Sequence, residues 1–159
     1  MKIYTIQRRD FLTYTDSQGF IIPKRDPEYS IFTDDEEGEN CLWALEWMKR
    51  QFIKRMNIPL DSDLIWVWPD IYAYLSEKSD IDFSRHALFT FEVPAAYYKK
   101  MILWSNFISW HEVLNRLWAG VADEDERYEE IFQLKRHEKP GTIQGITTRL
   151  HKDWIKRVT

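Results

Sequence analysis

The segment His111-Glu112-Val113-Leu114-Asn115 is one residue away from the zinc signature H-E-x-x-H. Residues four apart share a helix face, so the spacing suits a metal. The second ligand does not, because Asn115 carries a neutral amide that binds zinc weakly. No other His or Cys lies nearby in sequence to replace it, so no metal is expected. His111 is instead expected on the inner face of its helix, with Asn115 bonded to a neighbouring loop. Cys41 has no nucleophile motif around it and opens an apolar stretch, which predicts a buried structural thiol. As the single cysteine it cannot form an internal disulfide. Glu92 sits within a strand pattern shortly before Pro94 and reads as an exposed strand position. The chain has no G-x-S-x-G, no P-loop and no G-x-G-x-x-G, and Gly141 and Gly145 are too sparse to cradle a phosphate. No cofactor is expected.

A looser constellation remains. Gln7, Arg85, His111, Asn115 and Gln144 are polar residues set in otherwise apolar elements. Each needs a hydrogen-bond partner if buried. They can converge on a small ligand with Trp68 and Trp110 as walls, or satisfy one another and hold the fold.

The elements that must position these groups follow from periodicity. Residues 2–7 are β-branched and aromatic and predict a strand. Residues 8–18 predict a short helix ending at Gly19. The stretch to about residue 40, with Pro23, Pro27 and an acidic run, predicts mainly loop. Over 40–56, Leu42, Leu45, Met48, Phe52 and Met56 recur at helical spacing beside Trp43 and Trp47. Acids before this helix and Lys49, Arg50, Lys54 and Arg55 late in it suit its dipole.

Residues 64–68 predict a strand stopped by Pro69, with Trp66 and Trp68 on one face. Residues 76–86 read as turn. Ala87 to Val93 predicts a strand, followed by a helical turn over 95–100 and a short strand at 101–104. A helix over 106–119 places Phe107, Trp110, His111, Leu114, Leu117 and Trp118 on one face, capped by Ser105 or by Ser109 with Glu112. A third, exposed helix is expected over 123–134. Residues 142–150 predict a strand with Ile143, Gly145 and Thr147 on one face and Gln144, Ile146 and Thr148 on the other. Strands and helices mix without regular βαβ alternation. The expected fold class is α+β, a mainly antiparallel sheet with two or three packed helices in one domain over 1–159.

Composition bounds the partners. The 159 residues carry 22 Lys/Arg and 26 Asp/Glu, a formal charge of −4. Mild acidity argues against direct nucleic-acid binding or a membrane-surface role. No apolar run approaches the roughly 18 residues of a membrane span, and the start of the chain lacks a signal-peptide core. A reducing, cytoplasmic setting is expected from the cysteine usage. Eight tryptophans within 16% aromatic residues imply large flat side chains filling a core, or lining a pocket.

Taken in order, several of these pieces resemble an uncharacterised bacterial family, domain of unknown function 3841. They are Ile3-Tyr4-Thr5-Ile6-Gln7, the helix from Trp43 to Met56, Ile65-Trp66-Val67-Trp68 and Phe91-Glu92-Val93-Pro94. Ser105-Asn106-Phe107 follows, then Trp110 to Asn115, Glu130-Ile131-Phe132-Gln133-Leu134 and Ile143-Gln144. Each piece is weak alone; their joint order carries the resemblance from residue 3 to 158. The chain departs from the family's pattern in having Asn106 in place of an acid and a shortened stretch between Trp68 and Arg85. The resemblance implies no activity, cofactor or partner.

The leading functional expectation is a small binding or interaction module, phage- or mobile-element-linked, taking a small ligand or a protein partner. The alternative is a nucleotide-dependent transferase related to the ADP-ribosyltransferases. It is weakened because the last strand offers Gln144 where those enzymes usually place a glutamate. A purely structural partner with no pocket is the third reading.

Overall fold

The structure is a computed structural model that describes residues 1–23, 36–60, 62–72, 82–118, 126–134 and 139–159. In chain order the strands are β1 (Lys2–Arg8), β2 (Phe20–Ile21), β3 (Ile65–Val67), β4 (His86–Glu92), β5 (Leu103–Asn106), β6 (Ile143–Thr147), β7 (Leu150–His151) and β8 (Ile155–Val158). The helices are α1 (Glu36–Met56), α2 (Ala95–Lys100) and α3 (Phe107–Trp118). The fold is α+β, and every strand pair is antiparallel.

Two three-stranded sheets, β1-β4-β8 and β3-β6-β5, meet at one bridge. There Tyr4 and Trp68 exchange both backbone hydrogen bonds, at 2.9 and 2.8 Å. Together they order the six strands β8-β4-β1-β3-β6-β5. The small β2-β7 ladder lies apart from this order.

The period-2 side-chain pattern gives this surface two faces. One carries Ile3, Ile65, Val67, Phe89 and Phe91, which cluster with Phe11, Ile21 and Leu150 and with Tyr97 and Trp154. The other carries Trp66, Leu103 and Ile146, which pack on Ala44, Trp47, Met48 and Phe52 of α1 and Trp110 and Val113 of α3. Gly145, in the middle strand, has to be glycine on the first face. A Cβ there would lie 2.6 Å from Ile102 Cγ2 and 2.7 Å from Trp104 Cε3.

α1 is amphipathic for the reason its spacing gives: Ala44, Met48 and Phe52 recur every four residues on the buried side. It ends where Asn57 adopts a left-handed φ of 54° and donates its backbone N–H to Ile53 O. Lys49 ties the helix to the approach of β3 through Asp63 at 2.8 Å. Burial lowers its pKa, but hydrogen bonds to Asp63 and Glu46 outweigh this, and the ammonium is held above its ordinary value.

Some expected elements differ. Residues 8–18 form no α-helix, only a 3-10 turn over Phe11–Tyr14. Polar side chains there close local loops instead. The Thr13 hydroxyl donates to Asp10 O, and Asp16 Oδ1 accepts from the backbone N–H groups of Gln18 and Phe20. The third helix is a 3-10 helix over Glu126–Phe132. The strand expected over 142–150 splits into β6 and β7, because the chain leaves β6 after Thr147 to pair with β2. Asn106 caps α3, its Oδ1 accepting Ser109 N–H at 3.0 Å, in place of Ser105 or a Ser109–Glu112 box. The side chains of Cys41, Leu42, Trp43, Leu114, Leu117 and Trp118 lie outside the described residues.

Candidate functional site

Antiparallel partners point to the same side of a sheet. Following register across the molecule therefore lines up side chains. Arg157 lies opposite Thr90, Thr90 opposite Tyr4, and Tyr4 opposite Trp68. Val67 pairs with Gly145, so one step further along the register sets Trp68 opposite Gln144. Gln144 pairs in turn with Ser105. Arg157, Thr90, Tyr4, Trp68, Gln144 and Ser105 thus form one row across six strands. Every member can make hydrogen bonds. The row on one side of it holds the apolar groups Trp66, Ile146 and Leu103, and the row on the other side carries Lys2 and Glu92.

Burial rises along the row. Arg157 is exposed, Thr90, Tyr4 and Trp68 are half-buried, and Gln144 and Ser105 are buried. At the buried end, Trp68 Nε1 and Gln144 Nε2 have no hydrogen-bond partner among the described residues, and both atoms are out of contact with the surface. Ser105 Oγ reaches Gln144 O only at 3.5 Å. An unsatisfied buried donor costs about 1–3 kcal/mol. Two on neighbouring strands are a large concession for a chain of this size.

The surroundings fix this end. Asp70 Oδ1 accepts Tyr72 N–H, and Asp70 Oδ2 accepts Gly141 N–H at 3.2 Å. That clamp joins the exit of β3 to the entry of β6 and sets Trp68 against Gln144. Behind the row, Trp110 stacks on Trp66 (centroids 6.0 Å apart) and on Trp47 (5.9 Å), and Trp47 continues to Phe132 (6.2 Å). Four aromatic planes thus run from Trp66, in the row beside the polar one, to Phe132.

Of the residues singled out from sequence, Trp68 and Gln144 fall opposite each other in register at this end, and Trp110 stacks on Trp66, one register step away. Gln7 does not join them. It shares the opposite face with Thr5, where its Nε2 donates to Thr5 Oγ1 (2.9 Å) and Thr5 Oγ1 donates to Trp66 O (2.6 Å). Those bonds reinforce the seam where β1 and β3 share only one bridge. Arg85 is 76% exposed, in a turn beside Asp82, whose carboxyl is held low by hydrogen bonds from Ser84. His111 and Asn115 are exposed as well, so the expected inward-facing histidine is not found. The contact with the sheet runs through Trp110 and Val113. His111 lies about 100° further round the helix, with its ring on Phe107 at 4.0 Å. Tyr4, Thr90 and Ser105 were not anticipated. Tyr4 and Thr90 stand at alternate positions from the apolar residues of their strands, which is the signal that placed them on the row's face.

Among the described residues, no group of three His, Cys, Asp or Glu is arranged to hold a metal ion. No helix among them is long and apolar enough to cross a membrane.

The family described as domain of unknown function (DUF3841) matches residues 2–159. The chain belongs to that family. The match spans both half-sheets, so the polar row lies wholly within the DUF3841 region. No curated protein and no solved structure matches the chain.

Proposed function

We propose that this DUF3841 protein is a binding module that takes a small polar ligand along the row ending at Trp68 and Gln144. The observation that carries the reading is the pair of buried, unpartnered N–H donors at that end. Native proteins rarely leave such groups open, and an open pair on a rigid sheet is a preformed recognition element. The gradient of burial gives a direction of entry, from the half-buried Tyr4 and Trp68 towards Gln144. The six row residues include no carboxylate, thiol or imidazole. That favours binding over the transferase reading, which needs an acid, a base or a strong nucleophile at its centre.

Native mass spectrometry after incubation with a small-molecule cell extract tests this. The wild-type protein is expected to retain a bound species that Gln144→Met loses. Retention by neither protein, or equally by both, counts against the reading.

A further inference from the structure

We infer that the buried end of the row recognises a neutral carbonyl oxygen, of a carboxamide or lactam, in preference to a carboxylate or phosphate. This rests on the binding reading above and names the chemistry of the group bound.

The argument is one of donors and charge. Trp68 Nε1 is a donor and nothing else, and Gln144 Nε2 is likewise a donor. Both therefore call for an acceptor. A carbonyl oxygen has two lone pairs and can accept from both at once. The register sets Trp68 opposite Gln144 on adjacent strands, whose backbones lie about 5 Å apart.

An anionic oxygen would also accept, but it must be taken out of water. Burying an ionised group is costly without a countercharge. The row's single cation, Arg157, lies four strand steps from Gln144, about 19 Å along the sheet. It cannot neutralise a charge held at Gln144. The carboxylate of Asp70, which clamps the exit of β3 to the entry of β6, would repel one. Two neutral donors in an aromatic-flanked, water-poor setting match a neutral acceptor, whose desolvation they compensate.

The test uses benzamide and benzoate, which share size and shape and differ in charge. The readout is the Trp68 indole N–H resonance in a nitrogen–proton correlation spectrum, assigned by its loss in Trp68→Phe. Benzamide is expected to move that resonance downfield, saturably, at least tenfold more tightly than benzoate. Gln144→Met keeps the indole in place and is expected to weaken the benzamide response at least tenfold. A benzoate response equal to or stronger than that of benzamide overturns the carbonyl assignment and leaves the binding row standing. No response to either probe also overturns it. If the extract experiment then retains nothing as well, the binding reading falls with it.

Discussion

The two faces of the sheet treat their buried polar groups differently. On the face shared by Ile3 and Phe89, the hydroxyls and amides close on one another. Gln7 donates to Thr5 and Thr5 to the backbone of Trp66, while Tyr97 Oη lies 2.8 Å from Thr147 Oγ1 and donates to Arg149 O. On the face packed by α1 and α3, Trp68 and Gln144 keep their donors open. What separates the faces is closure, and closure marks which polar groups serve the fold. Open groups are the candidates for recognition.

The largest effect is expected on the helix-packed face. Trp110→Ala removes the middle plane of the aromatic stack and should cost about 3–5 kcal/mol in a urea unfolding curve. Thr5→Val tests the closed face. It leaves Gln7 Nε2 and Trp66 O without their shared partner and should cost about 1–3 kcal/mol by the same measurement.

Gln144→Met is the sharpest contrast, because the sign reverses. Replacing an open buried amide by an apolar side chain of similar length should raise stability by about 1 kcal/mol. A loss of similar size would mean that the amide turns over and accepts the Trp68 N–H, and the distinction between the faces would collapse.

The smallest effect appears only in alkali. Burial pushes the Tyr97 hydroxyl up to about 12. A folded pKa above the unfolded value near 10 means that its contribution is complete below pH 10 and fades between pH 10 and about 12. Ultraviolet titration should show a late-ionising tyrosine that loses its lag on unfolding, and Tyr97→Phe should remove that component.

Much of the fold was legible in the sequence, and the site only in part. β1, β3 and β4 follow from β-branched and aromatic alternation, and α1 and α3 from their four-residue spacing. Gln144 and Trp68 stood out singly, as a polar residue and an aromatic one in strand patterns. Their place opposite each other did not, because it depends on register, and register here is held by Asp70 reaching Gly141 across 71 residues. His111 reads as inward-facing because a helix pattern rich in aromatics leaves its phase open by a residue. Trp110, and not His111, takes the centre of the contact. β8 was missed because Lys156 and Arg157 mask a four-residue strand whose side chains are largely in water.

The strand order has a consequence for synthesis. β6 is the middle strand of one half-sheet and β8 an outer strand of the other, and both come after residue 142. β3 and β5 are joined only through β6. While the ribosome is still making the first 142 residues, the nascent chain can pair β1 with β4 and bridge β1 to β3, but the edges of β3 and β5 that face β6 stay bare. Assembly of the second half-sheet therefore waits for residues beyond 142, and until then such edges are exposed to chaperones or to neighbouring chains.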